Sequence, residues 1–283
     1  MLQQQKTFIE AIYRLYEHSG FSMAGAVAFS FVVSLFPFCL FLAGLAGIIG
    51  SPELAEQAVN QLFETLPRGV AQALAPQVVS IMGTTRIDLL TFGGVIALFF
   101  ATSAVETLRA ALNGAYRVRE TRPYFLCLLI SMLYVFVSAV TMLVLSWAVI
   151  VGPGVAARFE PSWLKTILDS TWVSAGARYG LAVAVITGQL IALHIWLAAG
   201  RRTLGEVMPG ILLSAMLWVL AGVLYSYYLE FSDYSRFYAG LSQLMVALIF
   251  FQVTAVIVIL GAEINRGLIE LKKMAAIGAG ALP

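Results

Sequence analysis

Six long apolar stretches, about 24–50, 88–106, 124–152, 178–199, 207–229 and 241–264, leave this chain few ways to fold. A bilayer core about 30 Å thick is crossed by roughly 20 apolar residues in a helix, which satisfies its own backbone where no water can. Each stretch is about that long, the second with little to spare before Glu106. Composition agrees: 60% of residues are hydrophobic and 11% charged, against roughly a half and a quarter in water-soluble domains. These features predict an all-α, polytopic membrane protein with six transmembrane helices. Pro37, inside "SLFPF", is expected to kink the first helix, because proline removes a backbone donor.

Three parts follow: an interfacial helix over 1–23, a six-helix transmembrane domain over 24–268, and a tail over 269–283. In the first, Phe8, Ile12, Leu15, Tyr16 and Ser19 share one side, opposite Lys6, Glu10, Arg14 and Glu17. That pattern suits a helix lying along the membrane surface. In the first outer loop, Leu54, Ala58, Val59, Leu62, Phe63 and Leu66 form a stripe that Pro67 ends, and Val70, Leu74, Val78 and Ile81 begin another. Two amphipathic helices roofing the outer face are expected there, or a lid over a cavity. No apolar leader or cleavage site opens the chain, so no signal peptide is expected. With both termini in the cytoplasm, eleven lysines and arginines fall inside and six outside, the asymmetry that sets orientation.

The charge that remains is concentrated. "SAVETLRAALNGAYRVRETRPY", Ser103–Tyr124, holds four arginines, two glutamates and an asparagine. Continued as a helix, it places Thr102, Glu106, Arg109, Asn113, Arg117 and Glu120 on one side, and Val105, Leu108, Leu112, Ala115 and Tyr116 on the other. The helix is expected to leave the membrane amphipathic and to end before Pro123. Glu106 and Arg109 are spaced to pair within it. Three roles suit this face. Arginines near anionic headgroups, at about 1 kcal/mol each, fix topology. They can instead bind other helix ends through Glu206 and Glu263, or hold an anionic ligand such as a lipid phosphate through Arg109, Arg117 or Arg122. If Arg109 belongs to a buried network, its removal costs about 3–5 kcal/mol.

Other chemistry is sparse. Cys39 and Cys127 read as small core residues, and His18 and His194 form no metal motif with them. No P-loop, nucleophile elbow or two-metal acidic cluster is present. No catalytic residue, metal or cofactor is therefore expected, and no groove suits a nucleic acid. Gln189 and His194 are uncommon inside a span and suit hydrogen bonds between helices. The pairs Ala43/Gly47 and Gly93/Ala97 suit close helix contact.

The ordered set "AGAVAFSFVVSLFPF", "SAVETLRAALNGAYRVRETRP", "MPGILLSAMLWVL" and "YSRFYAG" through "LGAEINR" resembles the YihY/BrkB family of bacterial inner-membrane proteins, from about residue 20 to 268. "FYAGLS" departs from the family's more usual adjacent Tyr-Gly, and Phe250-Phe251 stands where the family often has a tryptophan. The resemblance implies six spans of the cytoplasmic membrane with both ends inside. Its recurring polar positions correspond to Pro37, Arg109, Asn113, Arg117, Arg122, Pro123, Glu263 and Asn265. The family once carried a ribonuclease label, for which this sequence offers no catalytic residues. Members are also linked to envelope lipid export.

The expected function is transport or translocation of an amphipathic, anionic envelope molecule, a lipid or lipid-linked precursor. The alternatives are a membrane scaffold that docks a protein partner at its basic cytoplasmic face, and a small-solute transporter. Anionic membrane lipids are the expected partners. Mid-span carboxylates, usual in ion-coupled carriers, are lacking.

Overall fold

The computed structural model describes residues 2–49, 87–150, 171–231 and 242–278. All regular structure in them is helical: α1 (Leu2–Glu17), α2 (Gly20–Ile49), α3 (Ile87–Tyr116), α4 (Tyr124–Ile150), α5 (Thr171–Ala192) continuing into a π turn (Leu193–Leu197), α6 (Leu204–Phe231) and α7 (Ser242–Gly278). The amphipathic stripes expected between 54 and 81 lie outside the described residues.

Four helices contain segments long and apolar enough to cross a membrane: Gly93–Tyr116, Tyr124–Thr141, Leu204–Tyr225 and Leu244–Ala275. A fifth is added if the bent pair Glu10–Glu17 and Gly20–Leu35 counts as one span, and Val183–Leu197 is a shorter apolar helix. The chain is thus an all-helical, multi-pass membrane protein with four to five such spans among the described residues. α7 has 37 residues, about 55 Å of helix, so it extends well past a hydrocarbon core of about 30 Å.

α7 is the centre of the bundle, touching α1, α2, α3 and α6. α2 packs chiefly on α3, where Ser30 Oγ and Thr107 Oγ1 lie 3.2 Å apart, and the stacked rings of Phe31 and Phe251, 5.8 Å between centroids, join α2 to α7. α4 is peripheral among the described residues: 11% of Tyr124–Thr141 is buried against 44% in the α3 and α7 segments. α2 runs unbroken across Pro37, which is buried. A sharp bend of 69° separates α1 from α2, where Ser19 adopts a left-handed backbone (φ 57).

α1 packs along α7. Leu15 of the expected apolar stripe is buried together with Ala11, while Ile12 and Tyr16 of that stripe are exposed, and Arg14 ties the two helices, its Nη1 donating to Glu270 at 3.1 Å.

The tightest crossing joins α6 to α7. A β-carbon on Gly210 would overlap the carbonyl oxygen of Gly261, and one on Gly261 would overlap Ser214 Oγ and come within 2.9 Å of the Gly210 carbonyl oxygen. The close approach lets Ser214 Oγ donate to Ile257 O at 3.1 Å. Gly93, expected at such a contact, has nothing within 4 Å of a built β-carbon. Gly261→Leu is therefore expected to destabilise the protein by about 1–3 kcal/mol through overpacking. Gly188→Ala, where a β-carbon meets nothing within 4 Å, should leave stability level or raise it by about 0.5–1 kcal/mol. Thermal unfolding in detergent measures both.

Candidate functional site

One end of the bundle gathers α1, the α3–α4 turn, the π turn, the start of α6 and the last third of α7. Its geometry begins where α3 stops. Arg117 takes a left-handed conformation (φ 52). Its N–H donates to Gly114 O at 3.1 Å, and the Val118 N–H to Asn113 O at 3.0 Å, closing the helix in a way that glycine usually serves. A side chain there costs roughly 1–2 kcal/mol. Its contacts offset that cost: Nη1 donates to Glu263 Oε2 at 3.1 Å and Nη2 to His18 Nδ1 at 2.5 Å. The helix thus ends at Tyr116, well before Pro123, and Glu120 lies off it.

That early end lets the chain fold back, so Glu120 sits beside the helix it has just left. Its Oε2 accepts from Arg109 Nη1 at 2.7 Å, Asn113 Nδ2 at 3.2 Å and Arg122 Nη2 at 2.8 Å. Its Oε1 accepts from Arg122 Nε at 2.8 Å and the Arg122 backbone N–H at 3.2 Å. Arg122 above all, with these other donors, holds the Glu120 carboxyl well below the usual carboxylate range, against the opposing effect of burial. Arg109, only 8% exposed, also forms the expected pair with Glu106: Nε donates at 3.2 Å, and Nη2 makes a second bond. Ser131 of α4 donates to the same carboxylate. The polar side of α3 therefore faces into the protein, and both sides of its second half are buried.

The two arginines beyond α3 close the end of the π turn, whose last carbonyls have no helical partner. Arg122 donates to Trp196 O at 3.1 Å and Leu197 O at 2.9 Å. Arg202 donates to His194 O at 3.0 Å and Ala199 O at 2.5 Å, and its guanidinium lies 3.5 Å from the centre of the Tyr116 ring. Burial pulls Arg202 below its ordinary pKa, with Tyr116 and Glu206 opposing. Positive charge at a helix C-terminus also meets the negative end of the helix dipole.

A second chain of charge joins α1 to α7. Glu263, 2% exposed, lies 3.1 Å from Arg117 and 4.0 Å from Arg266. Arg266 pairs with Glu270 at 2.5 Å, Glu270 with Arg14 at 3.1 Å, and Arg14 with Glu10 at 2.5 Å. Between them, Asn265 accepts from the Gly210 N–H at 2.6 Å and donates to Tyr116 Oη at 3.2 Å, whose hydroxyl meets His194 Nδ1 at 2.7 Å. His194 is fully buried, and its Nε2, like Thr102 Oγ1, has no partner among the described residues.

Of the residues singled out by sequence, Glu106, Arg109, Asn113 and Arg122 meet around Glu120. Arg117 meets Glu263, and Asn265 meets Tyr116. Glu206 stands apart. It accepts from the Thr203 N–H at 2.7 Å and the Thr203 hydroxyl at 3.0 Å, stapling the start of α6. Sequence reasoning missed Glu120 as the hub, because a helix drawn through to Pro123 puts it on the wrong element. It also missed Arg202 and Tyr116; the signal available for Arg202 was a basic residue just after a helix end. Gln189 accepts from Ser138 Oγ at 2.8 Å, an interhelical bond of the expected kind. Cys127 is buried, with Sγ 3.8 Å from Arg122 O, and the side chain of Cys39 lies outside the description.

Two outcomes follow. Arg109→Ala strands Glu106 and crowds less charge onto Glu120, and is expected to cost about 3–5 kcal/mol, the range for breaking a buried pair. The depressed pKa of Glu120 means its stabilisation is complete above the unfolded carboxylate pKa, about 4.3, and is lost as pH falls from there toward the lower folded value. Glu120→Gln should lower stability at pH 7 and flatten the acid limb of a stability–pH curve measured by thermal unfolding.

The putative ribonuclease-like protein YfkH of Bacillus subtilis (strain 168) is 26% identical over 272 residues, which cover 95% of this chain and 97% of the relative. No solved structure matches the chain. The model of the family described as Virulence factor BrkB matches residues 11–279, which take in every charged group of the site except Glu10, and the chain belongs to that family.

Proposed function

We propose that this protein crosses the bacterial cytoplasmic membrane six times, with both termini inside, and moves an amphipathic, anionic envelope molecule such as a lipid or lipid-linked precursor between leaflets. The eleven-to-six distribution of basic residues supports the orientation. One observation carries the transport reading. Beyond the close crossing at Gly210 and Gly261, α6 and α7 line an apolar groove of about 330 Å³ with Trp218, Leu224, Tyr225, Ile249, Phe250 and Val253 among others. Such a groove suits a hydrocarbon chain. Arg109 and Arg122 do not line it, and their bonds to Glu106 and Glu120 occupy them; they act as architecture on this reading.

The ribonuclease-like name of the Bacillus relative does not extend to this chain in our proposal. A polyanion needs free cations lining a groove; no charged side chain lines the apolar groove, and Arg109, Arg117 and Arg122 are each bound to carboxylates. The exposed Arg119, Arg201, Lys272 and Lys273 favour a second reading, a scaffold whose charged end docks a partner.

Flipping of a labelled anionic lipid in liposomes tests the first reading. Gly222 borders the groove, and a β-carbon there meets nothing within 4 Å, so Gly222→Leu puts added hydrocarbon at the groove. Wild-type protein should flip lipid, and Gly222→Leu should slow it several-fold at unchanged yield. Equal rates would remove the groove from the path. No flipping by folded wild-type protein with several headgroups would favour the scaffold.

A further inference from the structure

The cations at the charged end divide into two groups. Arg14, Arg109, Arg117, Arg122 and Arg266 each pair with a carboxylate, and Arg202 is held by carbonyls and the Tyr116 ring. Arg119, Arg201, Lys272 and Lys273 are exposed, with no hydrogen bond or ion pair among the described residues.

These four converge on one turn, residues 199–206. Gly200 (φ 91) brings the chain against the end of α3: a β-carbon there would lie 3.6 Å from Val118 Cγ1. Arg119 and Arg201, the chain neighbours of Val118 and Gly200, therefore lie on segments that touch, and both are exposed. Lys272 and Lys273, on the last turns of α7, are near enough to Glu206 for their charges to act on its carboxylate, and Glu206 is tied to Thr203 in the same turn. Large apolar side chains flank the patch in the open: Trp196 is 67% exposed and Leu204 53%. A soluble anion offers nothing to these two, whereas a lipid offers both a phosphate and the upper part of its chains, the level at which tryptophan sits in membranes.

We propose that the 199–206 turn docks the phosphate of an anionic phospholipid in the adjoining leaflet, through Arg119, Arg201, Lys272 and Lys273, and not through the buried arginines. The proposal rests on the membrane placement given above for this end, and not on translocation.

The test is binding of fluorescent phosphatidylglycerol and phosphatidylcholine to the purified full-length protein in neutral detergent, beside the variant R119Q/R201Q/K272Q/K273Q. Wild-type protein should prefer phosphatidylglycerol at least fivefold, less at high salt, and the variant should bind the two within twofold. The replaced side chains make no internal bond, so an unchanged thermal transition is expected and shows that the variant is folded. Arg201→Lys alone, keeping the charge, should retain the preference. An equal preference in the folded quadruple variant, or none in the wild type, would overturn the proposal. Displacement of the lipid by millimolar inorganic phosphate would overturn it too, by making the site one for free anions. Preference without flipping leaves this site standing and removes the translocator; flipping without preference does the reverse.

Discussion

A guanidinium buried in a bundle of apolar helices has to be answered by carboxylate oxygen, and the charged end of this protein is arranged around that need. Arg109 is 8% exposed and touches Glu106 and Glu120. Glu120 can reach it only because α3 stops at Tyr116 and the chain turns back on itself. The same turn aims Arg122 at the carbonyls that end the π turn. One carboxylate thereby fixes the exit of α3, the entry of α4 and the end of α5. In low dielectric such a network is strong only when each member is matched, and here two arginines, Arg109 and Arg122, meet two glutamates, Glu106 and Glu120.

The second organising feature is the absence of side chain where α6 crosses α7. Gly210 and Gly261 bring two backbones together, and the N–H of Gly210 is then taken by Asn265. From Asn265 the hydrogen bonds run to Tyr116 and on to His194, so α3, α6, α7 and the π turn share one polar line beside the charged cluster. Further along, Tyr225 Oη donates to Val246 O at 2.5 Å and its ring packs on Phe250, and the apolar groove lies beside this second contact. Architecture and candidate function are therefore divided along the molecule: charge and hydrogen bonds at one end, hydrocarbon-facing surface further along.

Much of this was legible in the chain. The all-helical class follows from apolar length, and Glu106–Arg109 from a three-residue spacing. Asn113, Arg117, Arg122, Glu263 and Asn265 all stand in the network. The partners were less legible. Arg109 finds Glu120, eleven residues on, while Arg117 finds Glu263, 146 residues on. Helix periodicity relates residues three and four apart and says nothing of either. α1 shows the same limit: of its stripe of Phe8, Ile12, Leu15, Tyr16 and Ser19, Leu15 buries while Ile12 and Tyr16 stay exposed, and its bond to α7 comes from Arg14 on the polar side, which meets Glu270.

The sequence by itself determined the solvent and the secondary structure, since apolar segments of that length can satisfy their backbone in lipid only as helices. It also determined that the scarce charge gathers where helices leave the membrane, because an ion is costly anywhere deeper. Only the tertiary structure decided which arginines are spent on internal carboxylates and which stay exposed. That choice depends on where α3 ends and on how closely α6 meets α7, and both are set by contacts between residues far apart in the chain.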